Sequence, residues 1–308
     1  MKITFLNCLG WIMLVMIVGW SCQKENETGP TPGQSPAQAE MTARDNSQMV
    51  SISQDVMEVT SCALAGQGIM DGSTSSFGRT QGSEMNCAPS ITGSFSIDRN
   101  HPDTVIFSGK LVIDYGTGAS CRDTTDVRKG KIIDSFVFLK TLKGIPLYNL
   151  TETVTFQNFQ KDTIQLDGTF IGKSSSRAVA TLEIQNAKIT YLDGTSANWN
   201  GMISSTFIRR NYELDKYDYS RELTGSIQGT SRSGAAFSAS IVKGVLFRYS
   251  CSRHIPVSGT INLKAGGVTS VLDFGTGICD KFYSVTTGGN TTVYTFNGHH
   301  KITSSGQW

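Results

Sequence analysis

From about Ser90 to the C-terminus, apolar and polar residues alternate with period two in run after run, and turn residues separate the runs. The strand runs are Ile91 to Ile97, Val105 to Ile113, Lys131 to Leu142, Glu152 to Phe156, Thr163 to Phe170, Ala178 to Ile184, Asn198 to Arg209, Glu222 to Ile227, Phe237 to Phe247, Val257 to Leu263, Val268 to Phe274 and Thr291 to Phe296. Asp167-Gly168, Asp193-Gly194 and Gly288-Gly289-Asn290 mark turns between several of them. No helical stretch of crossover length lies between runs, so antiparallel pairing is expected. A meander this long has edges to protect, which predicts a sandwich or a partly open barrel. The 32 glycines and the charged share of only 17% suit many strands joined by tight turns. The expected fold is all-β: one antiparallel domain over 66–308, preceded by one amphipathic helix.

That helix is expected over 41–65. Met49, Ile52, Val56, Val59 and Ala63 recur at steps of three and four and make one apolar stripe, which would pack on the sheet or on a partner helix. Asp45, Asn46 and Ser47 are the N-cap candidates, and the Gly/Ser/Thr-rich 66–86 reads as a loop.

Residues 1–21 read as an export signal: Lys2, then an almost wholly apolar run to Trp20. Val18-Gly19-Trp20-Ser21-Cys22 resembles a bacterial lipobox, with a small residue directly before the cysteine and Trp20 as a departure. Cleavage before Cys22 and acylation of that cysteine are expected; stable anchoring needs more than one acyl chain. An ordinary signal peptide or an uncleaved anchor helix is the alternative. Residues 22–40, rich in Pro, Gly, Glu and Gln, read as a flexible tether. The expected location is the outer membrane, lipid-anchored, on its periplasmic or cell-surface face. With Lys2 removed the mature chain carries a net charge of +1, which leaves no electrostatic footprint for nucleic acid.

Leu111-Val112-Ile113-Asp114-Tyr115-Gly116-Thr117-Gly118-Ala119-Ser120-Cys121 recurs as Ser270-Val271-Leu272-Asp273-Phe274-Gly275-Thr276-Gly277-Ile278-Cys279. Each copy has a cysteine upstream, Cys87 and Cys251, followed by a strand of matching start. Two stapled hairpin modules, 87–121 and 251–279, are the simplest account, with disulfides Cys87–Cys121 and Cys251–Cys279. Cys62 is then left over, and a Cys62–Cys87 pair is the rival. These modules, with Thr190 to Gly201, Leu223-Thr224-Gly225-Ser226 and Lys129-Gly130-Lys131-Ile132, resemble an uncharacterised group of Bacteroidota lipoproteins. The resemblance covers most of 87–300. It implies the envelope and an all-β fold, and no activity.

The paired Asp-aromatic-Gly-Thr-Gly strings bring aspartic proteases to mind, but Tyr115 and Phe274 stand where that chemistry wants Thr or Ser; a turn with a packed aromatic is the expectation. Asp114, Asp123 and Asp126 are weak Ca²⁺ candidates without the dense acidic spacing of strong sites. His299 and His300 are adjacent, so on a strand they face opposite ways; His101 and His254 are the other histidines. Asp103-Thr104-Val105, Asp162-Thr163-Ile164 and Asp123-Thr124-Thr125 resemble O-glycan acceptors of Bacteroidota. Trp308 ends the chain as outer-membrane barrels often end, but the strands lack a lipid-facing apolar band. No metal, cofactor or catalytic residue is expected. The leading expectation is a non-enzymatic envelope module that binds or supports, held to the membrane by its lipid, with an envelope protein, glycan or lipid as possible partner. A carrier of a lipid or other apolar ligand in the curved sheet comes next, and a glycan-acting enzyme third.

Overall fold

The chain begins its ordered architecture with a capping box. In the computed structural model Ser35 N donates to Gln38 Oε1 (2.9 Å) and Gln38 N donates to Ser35 Oγ (3.3 Å), with Pro36 at the first helical position. Helix α1 runs from there, Pro36–Gly66. The structure describes residues 35–66, 89–120, 127–141, 148–176, 178–212, 216–248, 250–251, 255–297 and 301–304, all within one compact unit.

The helix starts five residues before the expected 41, so 36–40 is helix and not tether. Asp45, Asn46 and Ser47 are not caps: they are buried mid-helix, and Asn46 Nδ2 donates to the Thr42 carbonyl (2.9 Å). The Pro and Gln residues that suggest a tether serve here as first turn and cap.

Fifteen strands follow: β1 (Ser90–His101), β2 (Thr104–Asp114), β3 (Ala119–Ser120), β4 (Val127–Thr141), β5 (Tyr148–Lys161), β6 (Ile164–Ser174), β7 (Val179–Tyr191), β8 (Ser196–Tyr212), β9 (Lys216–Thr230), β10 (Ala236–Arg248), β11 (Pro256–Ala265), β12 (Val268–Thr276), β13 (Phe282–Thr287), β14 (Asn290–Asn297) and β15 (Lys301–Ser304). Each pairs antiparallel with the next in one sheet; β2 pairs directly with β4, and the two-residue β3 sits beside β4. The expected all-β meander is present. It is a single curled sheet and not a two-sheet sandwich, and among the described residues no ladder joins β1 to β15.

The curl has a cause. Gly130 on β4, Asn158 on β5, Gly168 on β6, Asn186 on β7, Gly201 on β8, Gly225 on β9 and Gly259 on β11 all have positive φ. Breaks in ladder register accompany them at β4–β5, β5–β6, β6–β7, β7–β8 and β11–β12. They form a band of bulges, and each bulge bends its strand and adds twist. At Gly168 a side chain is excluded outright, because a Cβ would lie 2.6 Å from the Ala187 Cα.

The curled sheet wraps α1. Named side-chain contacts tie the helix to β4, β5, β6, β9 and β14 and to the β9–β10 turn. The expected stripe is buried apart from the half-buried Val59, but so are Thr42, Ser47, Ser51, Ser53 and Thr60 from other faces. The helix is therefore enclosed and is not amphipathic in the sense expected. Buried hydroxyls bond back to the helix itself: Thr42 Oγ1 to the Gln38 carbonyl (2.9 Å), Ser53 Oγ to Val50 (2.9 Å) and Thr60 Oγ1 to Met57 (3.1 Å). That is how a helix this polar sits inside a sheet.

Candidate functional site

Three polar clusters lie between α1 and the inner face of the sheet. The first centres on Asp45. Arg232, in the turn between β9 and β10, grips it with two hydrogen bonds, Nε to Oδ2 (2.8 Å) and Nη2 to Oδ1 (2.6 Å). The Arg232 guanidinium also stacks 3.9 Å from the centre of the Tyr191 ring. Burial outweighs the arginine and holds the Asp45 pKa above the usual carboxylate range. Burial and the neighbouring Asp45 raise the Tyr191 hydroxyl likewise. The adjacent Arg44 lies 5.0 Å over the Tyr294 ring.

The second cluster centres on Asp55. Arg128 from β4 donates to its Oδ1 at 3.0 Å and Lys161 from β5 donates to its Oδ2 at 2.7 Å. Arg128 also reaches the Tyr115 hydroxyl, and Gln54 accepts a bond from Arg221 at 2.9 Å. All three charged groups are nearly without solvent contact, so their pairing stands in for the hydration they lose.

The third cluster has no cation among the described residues. Asp134 on β4 and Glu152 on β5 sit on the inner face, two positions out of register: Asp134 faces Val154 and Glu152 faces Phe136. Asp134 is 0% exposed and Glu152 4%. Neither oxygen of Asp134, nor Oε1 of Glu152, has a hydrogen-bond partner. Burial pushes Asp134 up to about 7. Burial, then the charge of Asp134, pushes Glu152 well above its ordinary value. Gly172 lies opposite Glu152, and Met57 of α1 fills the space that its missing side chain leaves.

The residues singled out from the sequence fall elsewhere. Cys251 and Cys279 form a disulfide, with Cα atoms 5.2 Å apart. Cys22, Cys87 and Cys121 lie outside the described residues, and with them the lipid site and the first staple. Cys62 is half-buried near the end of α1. Asp114 pairs with Lys131, whose Nζ is 2.9 Å from its Oδ2, and that cation, with the Gly116 amide, lowers its pKa. Asp123 and Asp126 are outside the described residues. Among the described residues no group of three or more His, Cys, Asp or Glu side chains is placed to hold a metal ion.

The repeated module does what a turn should. Asp114 Oδ1 accepts from Gly116 N (2.8 Å) and Asp273 Oδ1 accepts from Gly275 N (2.8 Å), while Tyr115 and Phe274 are buried. Asp114 and Asp273 sit on separate, non-neighbouring strands, β2 and β12, and each serves its own turn. His101 lies 3.8 Å from Asp98 at an exposed hairpin end, and His254, His299 and His300 are outside the described residues. Of the glycan-acceptor strings, Thr163 is exposed in the β5–β6 turn and Thr104 half-buried. Asp45 carries from the sequence only the expectation of a helix cap, and Asp55, Asp134 and Glu152 carry none. The signal for the last two was there: Asp134 and Glu152 occupy inward positions of an apolar alternation.

Compared with protein-family models, with curated proteins and with solved structures, the chain matches none.

Proposed function

We propose that the chain is an envelope lipoprotein, lipidated on Cys22 and tethered through the residues up to Ser35, acting as a non-enzymatic binding or structural module. The observation that supports this is the seating of α1. The concave side of the sheet, where a carrier would keep its ligand, is filled by the helix and pinned there by Asp45–Arg232 and Asp55–Arg128/Lys161. The interior is therefore core. The acids of that interior are closed to solvent, so the glycan-enzyme reading, which wants acids open to a cleft, finds no support in Asp134 and Glu152. No described helix is long and apolar enough to cross a membrane, and the resemblance to Bacteroidota lipoproteins points to the same compartment.

The test is native mass spectrometry of residues 23–308 after export to an oxidising periplasm, with labelling of the full chain by a fatty-acid analogue in parallel. The expected results are a bare mass short by four hydrogens for two disulfides, and label on the full chain that Cys22→Ser abolishes. An apolar molecule that leaves only on denaturation would overturn the structural reading in favour of a carrier. Label that persists in Cys22→Ser would overturn the anchor.

A further inference from the structure

Among the described residues every buried carboxylate on α1 is met by a cation, and the two on the sheet are met by none. Leu111 of β2 stands directly opposite Asp134 in the ladder, Gly172 of β6 opposite Glu152, and Met57 of α1 closes the space above. The charged groups of β4 and β5 that reach the interior, Arg128 and Lys161, are committed to Asp55. The remaining titratable groups in this half of α1 are Glu58 and Cys62, both half-buried. Tyr115, just past the end of β2, is bonded to Arg128, and the lysines at 110 of β2 and 173 of β6 alternate away from the inward Leu111 and Gly172. The one charge that bears on Glu152 is that of Asp134.

Two carboxylates buried side by side with no described cation to meet them cannot both stay ionised in such a place. We infer that Asp134 and Glu152 are a proton-operated latch: carrying protons they let α1 seat with Met57 over Gly172, and losing them they charge the interface and loosen the helix from the sheet. The inference does not rest on the proposed function. The sign follows from burial. The folded state keeps protons that the unfolded chain has released, so the stabilisation is full below about pH 4 and is lost as pH rises through about 7.

Hydrogen exchange of α1 amides in the exported chain, corrected for intrinsic rates, tests this between about pH 5 and about pH 8. Protection in the native sequence is expected to fall by up to about a hundredfold per pH unit up to about 7, about tenfold for each of the two carboxyls. The double substitution Asp134→Asn, Glu152→Gln is expected to remove most of that slope, leaving the share that belongs to Asp45. Infrared spectroscopy of the unsubstituted protein gives a check that needs no variant: a protonated carboxyl band present at low pH and gone at high pH. An unchanged slope in the double variant, or the absence of that band at about pH 5, overturns the latch. A pH-independent helix that CaCl₂ stabilises would overturn it in favour of a bound cation.

Discussion

The two ends of the Asp55 cluster and the Asp134–Glu152 pair lie on the same two strands, β4 and β5, yet they solve burial in opposite ways. Arg128 and Lys161 enter the interior and are neutralised in part by a carboxylate that the helix brings to them. A few residues along the same strands, Asp134 and Glu152 enter with nothing to meet them but each other and an apolar wall. The first arrangement makes the helix necessary to the sheet, because removing α1 would strand two cations. The second makes the helix conditional on protonation. A single fold thus holds its central helix by one contact between paired charges and by another that depends on protonation.

The largest expected effect breaks the first arrangement. Asp55→Ala leaves Arg128 and Lys161 buried without the carboxylate they share. It should cost about 3–5 kcal/mol, the usual penalty for stranding one side of a buried ion pair. Urea denaturation at neutral pH checks it. A loss below about 1 kcal/mol would mean that water reaches both cations and that the cluster is a surface pair in effect.

A smaller effect, of opposite sign, tests the second arrangement. Asp134→Asn removes the group whose ionisation is penalised. It should stabilise the chain by about 1 kcal/mol at about pH 8, with the gain gone by about pH 4, where the native carboxyl is already neutral. The amide pays part of this back, since it too is buried without an obvious partner. Thermal denaturation of the variant and the native chain at the two pH values measures the difference, and a gain equal at both would show that shape and not charge is at issue.

How much of this was readable beforehand differs between sheet and helix. The meander was legible because period two survives in nearly every strand. It failed where bulges shift the phase: β5 buries Leu150, Glu152 and Val154, then Phe159 and Lys161, so the alternation slips at Asn158 and the sequence run stops at Phe156. The same slip at Asn186 ends the expected β7 run at Ile184 when the strand continues to Tyr191. The strand β13 went unrecognised because Phe282–Thr287 is short and three of its residues are Thr or Ser. The helix was found but misjudged, because its stripe suggested one packed face. A sheet that wraps a helix buries the other faces too, and Ser and Thr that bond back to their own helix look the same in sequence as Ser and Thr facing water. The polar clusters were illegible for a related reason: their partners lie 73, 106 and 187 residues apart, and only the coiling of the sheet brings them to one helix.

The smallest expected effect separates how α1 starts from how it is held. Ser35→Ala removes the hydroxyl that accepts from the Gln38 amide but leaves the bond from the Ser35 amide to Gln38 Oε1, which needs only the backbone of residue 35. Both residues are exposed, so water takes the vacated place, and the cost should sit at the low end for a lost cap, about 0.5 kcal/mol. Amide exchange should quicken in the first turn alone, because from Ala39 onward the helix is enclosed and Asp45 and Asp55 fix it to the wall. If Ser35→Ala instead lowered the protection of the turn around Asp55, the helix would be behaving as a unit that propagates from its cap. The ion pairs would then follow from the helix and not hold it, and the contrast between the two halves of β4 and β5 would lose its physical basis.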